Sequence, residues 1–156
     1  MGILSDNIIK VFKQPCSALW IGACDPAGQP LIVRATGITL NDDDAVFCYV
    51  PMKFGSVLLT LPASNAPISI LAASTQNFES YQLKGHCSNI TETDQETIIE
   101  QLDNLRMFSD CVATFGMSAD NYYRAFADDR FFTIEAKLAS VYDQSPKTNA
   151  GLKLNC

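Results

Sequence analysis

Residues 77–87, with the sequence NFESYQLKGHC, decide the fold because they have the pattern of a two-faced β-strand. Successive side chains of a strand point to opposite sides of the sheet. One side then carries residues that suit a hydrophobic core: Tyr81, Leu83, Gly85 and Cys87. The other side carries four hydrogen-bonding groups: Ser80, Gln82, Lys84 and His86. This polar row is either a solvated face or one wall of a polar ligand site.

The segments on both sides of this strand extend the β pattern. Apolar runs bounded by turn residues predict five further strands, at residues 18–24, 31–40, 45–50, 66–73 and 130–142. Residues 66–73 are almost wholly apolar, so we expect that strand to be buried on both sides. Early strands linked as hairpins, with helices inserted later, favour an antiparallel barrel with peripheral helices over a βαβ fold.

Four helices are predicted around these strands, at residues 5–13, 53–61, 93–108 and 118–127. Ser5 is a suitable N-cap for the first helix, and Pro15 stops it. Thr93 and Glu96 have the spacing of a capping box, which predicts the start of the third helix. Ser118 is the expected N-cap of the fourth.

Composition and charge exclude several classes of function. The chain has 156 residues and a formal net charge of -6, and its Lys and Arg residues are scattered singly. It therefore lacks the basic stripe that nucleic-acid binding requires, and an anionic partner would have to be small and locally gripped. No apolar run approaches the roughly 20 residues of a membrane span, and no signal peptide is visible. We expect a cytoplasmic protein that does not enter a membrane.

Cysteine and histidine usage gives no sign of a metal site. The six cysteines, at positions 16, 24, 48, 87, 111 and 156, form no Cys-x-x-Cys pair, and His86 is the only histidine. In a reducing compartment, free and mostly buried thiols that behave as small hydrophobic side chains are expected.

Three stretches resemble the FMN-binding split-barrel superfamily, the relatives of pyridoxamine 5'-phosphate oxidase. SYQLKGHC at 80–87 is similar to the central strand of that family, and PLIVRA at 30–35 to its second strand. VYDQSP at 141–146, followed by Ala150 and Gly151, is similar to the tail of one branch. The resemblance implies one domain over residues 1–156, a mainly β fold built as a six-stranded antiparallel split barrel, and a homodimer that binds FMN in a cleft between subunits.

The resemblance places the FMN phosphate near the second and third strands. A phosphate dianion needs Arg, Lys or a helix N-terminus. Arg34 and Thr36 share one side of strand 31–40, and Arg34 matches an arginine of the family, although a salt bridge to a carboxylate would also explain it. Lys53 and Ser56 stand at the start of helix 53–61, where the family grips phosphate. A plain surface helix is the alternative there, since the oxidases carry an Arg-Lys pair and this chain has one Lys.

The flavin itself is expected to contact the polar row of the opening strand. In the family, side chains of this strand reach the flavin or its phosphate, so Ser80, Gln82 and Lys84 are candidate FMN contacts. The alternative is a solvated edge strand, where Lys is common. His86 continues the row and is left out of the candidate site.

The resemblance implies a flavin-dependent oxidoreductase or flavin reductase, with the chemistry supplied by FMN and the substrate and electron donor unspecified. Pyridoxamine 5'-phosphate oxidation itself is not expected, because the chain has no Arg-x-His near its C-terminus and no Trp after Trp20. A single His also excludes most catalytic triads. Two alternatives remain: a non-enzymatic flavin or haem carrier or sensor, and a barrel that has lost its cofactor.

Overall fold

A computed structural model describes residues 4–41, 44–61 and 65–155 of the chain. Eight strands are present: β1 (Ser17–Cys24), β2 (Pro30–Ala35), β3 (Gly37–Leu40), β4 (Ala45–Pro51), β5 (Ala66–Ser74), β6 (Ser80–Glu92), β7 (Phe131–Asp143) and β8 (Lys153–Leu154). Four α-helices accompany them: α1 (Asp6–Lys13), α2 (Met52–Gly55), α3 (Gln95–Ala113) and α4 (Ala119–Phe126). A 3-10 helix, Ser56–Thr60, follows α2.

The strands form one antiparallel sheet in the order β2-β1-β5-β6-β7-β4-β3, with β8 beside β7. Its two outer strands, β2 and β3, are consecutive in the chain, so the sheet curls into a split barrel with peripheral helices. This architecture confirms the predicted fold class, although the strand count is eight and not six.

The strand predicted at residues 31–40 divides at Thr36 because its two halves pair with different neighbours. β2 pairs with β1, and β3 pairs with β4. At the break, the N–H of Thr36 donates to the carbonyl of Tyr49 at 2.9 Å, so the chain leaves β1 and joins β4 there. The other additional strand is β8, which pairs with the end of β7 through Val141 and Tyr142.

The helix boundaries follow local capping chemistry. Ser5 and Ser118 occupy the N-cap positions of α1 and α4, as predicted; the Ser118 hydroxyl accepts the N–H of Asn121 at 3.3 Å, whereas the Ser5 side chain makes no capping hydrogen bond. The prediction for α3 is wrong by one residue: the side chain of Asp94 accepts the N–H of Thr97 at 2.9 Å, and Asp94 is the N-cap. Thr93 is instead buried, with its hydroxyl 2.7 Å from that of Thr133.

The core lies on the inner face of the sheet and is closed on one side by α1. The largest fully buried side chains of this cluster include Phe12, Ile21, Ile70, Leu83 and Val141. The alternation predicted for β6 is confirmed, since Tyr81, Leu83, Gly85 and Cys87 are all buried. Burial of β5 on both sides is wrong: its residues alternate between buried and partly exposed, because its second side belongs to the open face of the sheet.

Helix α3 forms a separate layer outside the barrel. Its buried apolar residues Ile98, Leu105, Phe108 and Val112 are not members of the barrel's core cluster. None of the described helices is long and apolar enough to cross a membrane.

Two cysteines that were expected to be free thiols are paired. Cys16, just before β1, and Cys111, in the last turn of α3, form a disulfide with their Cα atoms 5.6 Å apart. Because 95 residues separate them in sequence, no local pattern could reveal the pair. Cys24, Cys48 and Cys87 are free, and Cys156 lies outside the described residues.

Candidate functional site

The outward side of β2, β1, β5, β6 and β7 forms a continuous surface, here called the open face. Strand register aligns its side chains in two rows that cross the strands. One row is Arg34, Trp20, Leu71, Gln82 and Tyr142. The next is Ile32, Gly22, Ser69, Lys84 and Ser140. Ile32 and Trp20 are 70% and 38% exposed, so one end of the open face is apolar and accessible.

A groove of about 660 Å³ runs along the open face, with Gln82, Lys84 and His86 among its lining residues. The amide of Gln82 is fixed from both sides: its Nε2 donates to the hydroxyl of Ser69 at 2.6 Å, and its Oε1 accepts from Gln144 at 2.9 Å. The ammonium of Lys84 lies 4.5 Å from the ring centroid of Tyr142. The groove therefore combines the oriented amide of Gln82 with the cation of Lys84 and a lining that is otherwise mainly apolar.

A close approach between β6 and β7 shapes one wall of this groove. The pairing of the two strands shifts register between Lys84 and Gly85. A Cβ atom on Gly85 would collide with the backbone carbonyl oxygen of Lys137. Because backbone cannot move aside as a flexible side chain can, glycine is required at this position of the wall.

Ser80 is the exception in the predicted polar row. Its hydroxyl donates to the carbonyl of Phe78 at 3.1 Å, and its N–H donates to the hydroxyl of Ser145 at 3.1 Å. Ser80 therefore closes the turn before β6, and its side chain is not among those that line the groove. Gln82 and Lys84 are the predicted site residues that the structure brings together in the groove.

Arg34 lies at the end of its row, buried beneath α3 and α4. Its Nη1 donates to the carbonyls of Leu19 and Ala35, both at 2.6 Å, and its guanidinium carbon is 4.5 Å from the ring centroid of Phe108. The hydroxyl of Tyr122 lies 3.4 Å from Nε. Burial lowers the pKa of Arg34, and Tyr122 acts in the opposite direction. Among the described residues, no carboxylate forms a salt bridge with this guanidinium.

Lys53 is likewise held by the segment that follows α4. Its backbone N–H donates to Oδ2 of Asp128 at 2.8 Å, and its ammonium donates to the carbonyl of Ala127 at 2.6 Å. Burial disfavours the charged form of Asp128, but hydrogen bonds from the backbone N–H groups of Lys53 and Arg130 outweigh it and lower the pKa of that carboxyl. A carboxylate of the chain thus occupies the position where the sequence predicts a phosphate.

The remaining two predicted residues differ in role. The Thr36 hydroxyl is 3.3 Å from both the Tyr49 carbonyl and Oε1 of Gln101, so it serves the junction between β2 and β3. Ser56 is exposed at the start of the 3-10 helix. The helix expected at residues 53–61 is therefore a four-residue α2 followed by a 3-10 turn, because the chain tightens after Gly55.

Aromatic rings of α4 connect the surroundings of Arg34 and Lys53. The ring of Phe126 lies 5.4 Å from that of Phe54 and 4.7 Å from that of Tyr122, and Tyr122 lies 5.5 Å from Phe108. Arg34 and Gln82 stand three strands apart in the same row, which corresponds to roughly 15 Å. The predicted site is therefore divided between the open groove and a region covered by α4.

Sequence reasoning missed several residues of this arrangement. Ser69 had a signal, since it is a hydroxyl within an otherwise apolar strand. Gln144 lies in the tail stretch that resembles the family. Tyr122 and Asp128 had no signal in the local sequence. Tyr122 contacts Arg34, 88 residues away, and Asp128 contacts Lys53, 75 residues away.

Comparison with known proteins identifies the fold. No family model matches the chain, and no curated protein sequence matches it. The solved structure of HupZ from group A Streptococcus is similar, with 12% identity, a TM-score of 0.53, and coverage of 95% of this chain and 99% of that one. A candidate pyridoxamine 5'-phosphate oxidase from Lactobacillus delbrueckii has 11% identity, a TM-score of 0.52, and coverage of 89% and 93%. The fold is thus that of the pyridoxamine 5'-phosphate oxidase-like split barrels, as predicted.

Proposed function

We propose that this chain is an FMN-binding protein and that the groove of the open face is its flavin site. The observation that carries the proposal is the fixed amide of Gln82, held between Ser69 and Gln144 beside the ammonium of Lys84. A flavin ring needs hydrogen-bonding groups and positive charge near its pyrimidine edge, and apolar surface elsewhere. The groove offers both, so its residues fit the cofactor that the sequence resemblance implies.

Within this site, Gln82 and Lys84 are the residues that would hold the flavin. Bound FMN would supply electron or hydride transfer. Lys84 would favour the reduced flavin, because a fixed cation stabilises the negative charge that gathers on the ring. The finer proposal, resting on the family resemblance, is an FMN-dependent oxidoreductase or flavin reductase.

We further propose that a second copy of the chain covers the open face. Trp20 and Ile32 expose apolar surface at the rim of the groove, and burying such surface drives association. A specific interface buries at least ~1,200 Å² in total. In this arrangement the flavin site would lie between the two subunits.

The direct test compares Lys84→Ala with Lys10→Ala. Both changes remove one positive charge, but Lys10 is exposed on α1, which packs on the inner face of the barrel. Titration of each variant with FMN, followed by flavin fluorescence, should show about tenfold weaker binding for Lys84→Ala, the size of one charge-assisted hydrogen bond. Equal affinities for the two variants would contradict the assigned site.

One observation favours haem as a second candidate ligand. His86 is exposed and lines the same groove, and none of the described residues forms a hydrogen bond with its ring. A histidine ring nitrogen without another partner can ligate haem iron. Titration of the wild type and of His86→Ala with haem, followed by visible absorption, distinguishes haem from flavin as the ligand. A haem absorption band that is lost in His86→Ala supports haem, and the absence of such a band in the wild type favours flavin.

A further inference from the structure

We propose that α3, α4 and residues 127–128 form a cap over the predicted phosphate site, and that the Cys16–Cys111 disulfide locks this cap closed. Reduction of the disulfide would release the cap and open the site to the phosphate of FMN. The inference rests on the proposed FMN function, but its structural part is testable without it.

The first support is that the cap engages both predicted cations. The Arg34 guanidinium faces Phe108 of α3 and Tyr122 of α4. The backbone N–H of Lys53 is bonded to Asp128, directly after α4. The carboxylate of Asp128 therefore lies where the sequence predicts the phosphate of the ligand. A phosphate and this carboxylate would therefore compete for the same donor.

The second support is that α3 packs outside the core of the barrel. The buried apolar residues of α3 lie outside the core cluster that joins α1 to the strands. The N-terminal end of α3 is anchored by Thr93, whose N–H donates to the Phe131 carbonyl at 2.9 Å. At the opposite end, the covalent link to the barrel is Cys111 to Cys16. Breaking this link removes the covalent tie at the end from which α4 continues and leaves that end held by buried side chains such as Phe108 and Val112.

The third support is that the disulfide is accessible to a reductant. Both cysteines are partly exposed, and they line a groove of about 760 Å³ together with Gln76, Asp110 and Phe115. A dithiol can enter there. One of its thiolates attacks a disulfide sulfur to form a mixed disulfide, and its second thiolate resolves it. Two electrons and two protons pass from the dithiol, leaving two protein thiols and an oxidised dithiol.

The expected effect follows from population shift. If the closed cap leaves one molecule in ten competent to bind, the apparent affinity is about tenfold below the intrinsic value. Reduction with dithiothreitol should therefore strengthen FMN binding by about tenfold. Cys111→Ser should bind as tightly as the reduced wild type without added dithiol. The control is Asp103→Asn, because Asp103 is exposed on α3 and the change leaves the disulfide intact; this variant should respond to the dithiol as the wild type does.

The experiment measures FMN binding and hydrogen exchange on the same oxidised and reduced samples. Faster exchange of the Lys53 amide and of α4 on reduction, with tighter FMN binding, supports the proposal. Faster exchange with no FMN binding in either state supports the cap and contradicts the FMN function. Equal FMN affinity of the oxidised and reduced protein overturns the proposal that the disulfide controls access to the site, and it leaves the FMN function intact. Loss of the β-sheet circular dichroism signal on reduction also overturns it, because the disulfide would then hold the barrel itself.

Discussion

The carboxylate of Asp128 accepts the backbone N–H of Lys53 at 2.8 Å, at the point where β4 passes into α2. This contact joins residues 75 positions apart and places a negative charge where the sequence predicts a ligand phosphate. The candidate site thus has two parts: an open groove around Gln82 and Lys84, and a second region where Arg34 is buried and the exposed Lys53 has its backbone N–H bonded to Asp128.

Removing the carboxylate of Asp128 should free the backbone N–H of Lys53 for a ligand. In Asp128→Ala the Lys53 amide loses a charge-assisted hydrogen bond, which is worth ~1.5–3 kcal/mol. We expect the oxidised variant to bind FMN about tenfold more tightly than the wild type, measured by fluorescence titration. Asp129→Ala removes the same charge from the neighbouring exposed position and serves as the control. Equal affinity of the two variants would mean that Asp128 does not compete with the ligand.

The two sides of β6 should respond differently to truncation. Leu83 is fully buried in the barrel core, whereas Lys84 is exposed on the open face. Leu83→Ala should lower the free energy of unfolding by ~2–5 kcal/mol, because it removes buried methyl groups and leaves a cavity. Lys84→Ala should change it by less than ~0.5 kcal/mol. Urea unfolding of both variants checks this, and the reverse order of effects would invert the assignment of the two sides.

Asp143 should make the fold less stable in acid. Burial disfavours its charged form, but hydrogen bonds from Lys147, at 2.8 Å, and from Ser145 outweigh burial and lower the pKa of the carboxyl. A lowered folded-state pKa gives stability that is present above the unfolded value of about 3.9 and is lost as the pH falls through the folded value.

The corresponding variant is Asp143→Asn, which removes this titration. Urea unfolding at a series of pH values should show a smaller loss of stability below pH ~4 for the variant than for the wild type. Asp103→Asn, on the exposed side of α3, makes the same change in charge and should keep the wild-type profile. If the free energy of unfolding of wild type and Asp143→Asn fell in parallel with decreasing pH, Asp143 would not be a cause of the loss of stability in acid.

The sequence predicts those features that depend on neighbouring residues. The alternation along β6 is confirmed. Side chains of a strand point alternately to its two sides, so a strand with one buried side has alternating apolar and polar residues. Ser118 is found as an N-cap for a similar reason, since its side chain accepts the N–H of Asn121 within the same helical turn. The resemblance of three short stretches, in family order, then implies the barrel.

Features that depend on distant partners escape such reasoning. The strand at residues 31–40 divides at Thr36 because its halves pair with β1 and β4, and neither partner is visible in the local pattern. The burial of Arg34 beneath α4 and the Cys16–Cys111 pair likewise arise from packing across more than 80 residues. The composition of each segment is compatible with several such arrangements, and tertiary structure selects one.

Titration of the reduced wild-type protein with FMN, followed by visible absorption and flavin fluorescence, decides whether the chain binds the proposed cofactor. Riboflavin, which lacks the phosphate, is the matched comparison ligand. We predict saturable binding of FMN that is weakened by Lys84→Ala. Riboflavin should bind at least about tenfold more weakly than FMN, because the phosphate contributes a charge-assisted hydrogen bond. Absence of saturable FMN binding in both the reduced and the oxidised protein would contradict the proposed FMN function.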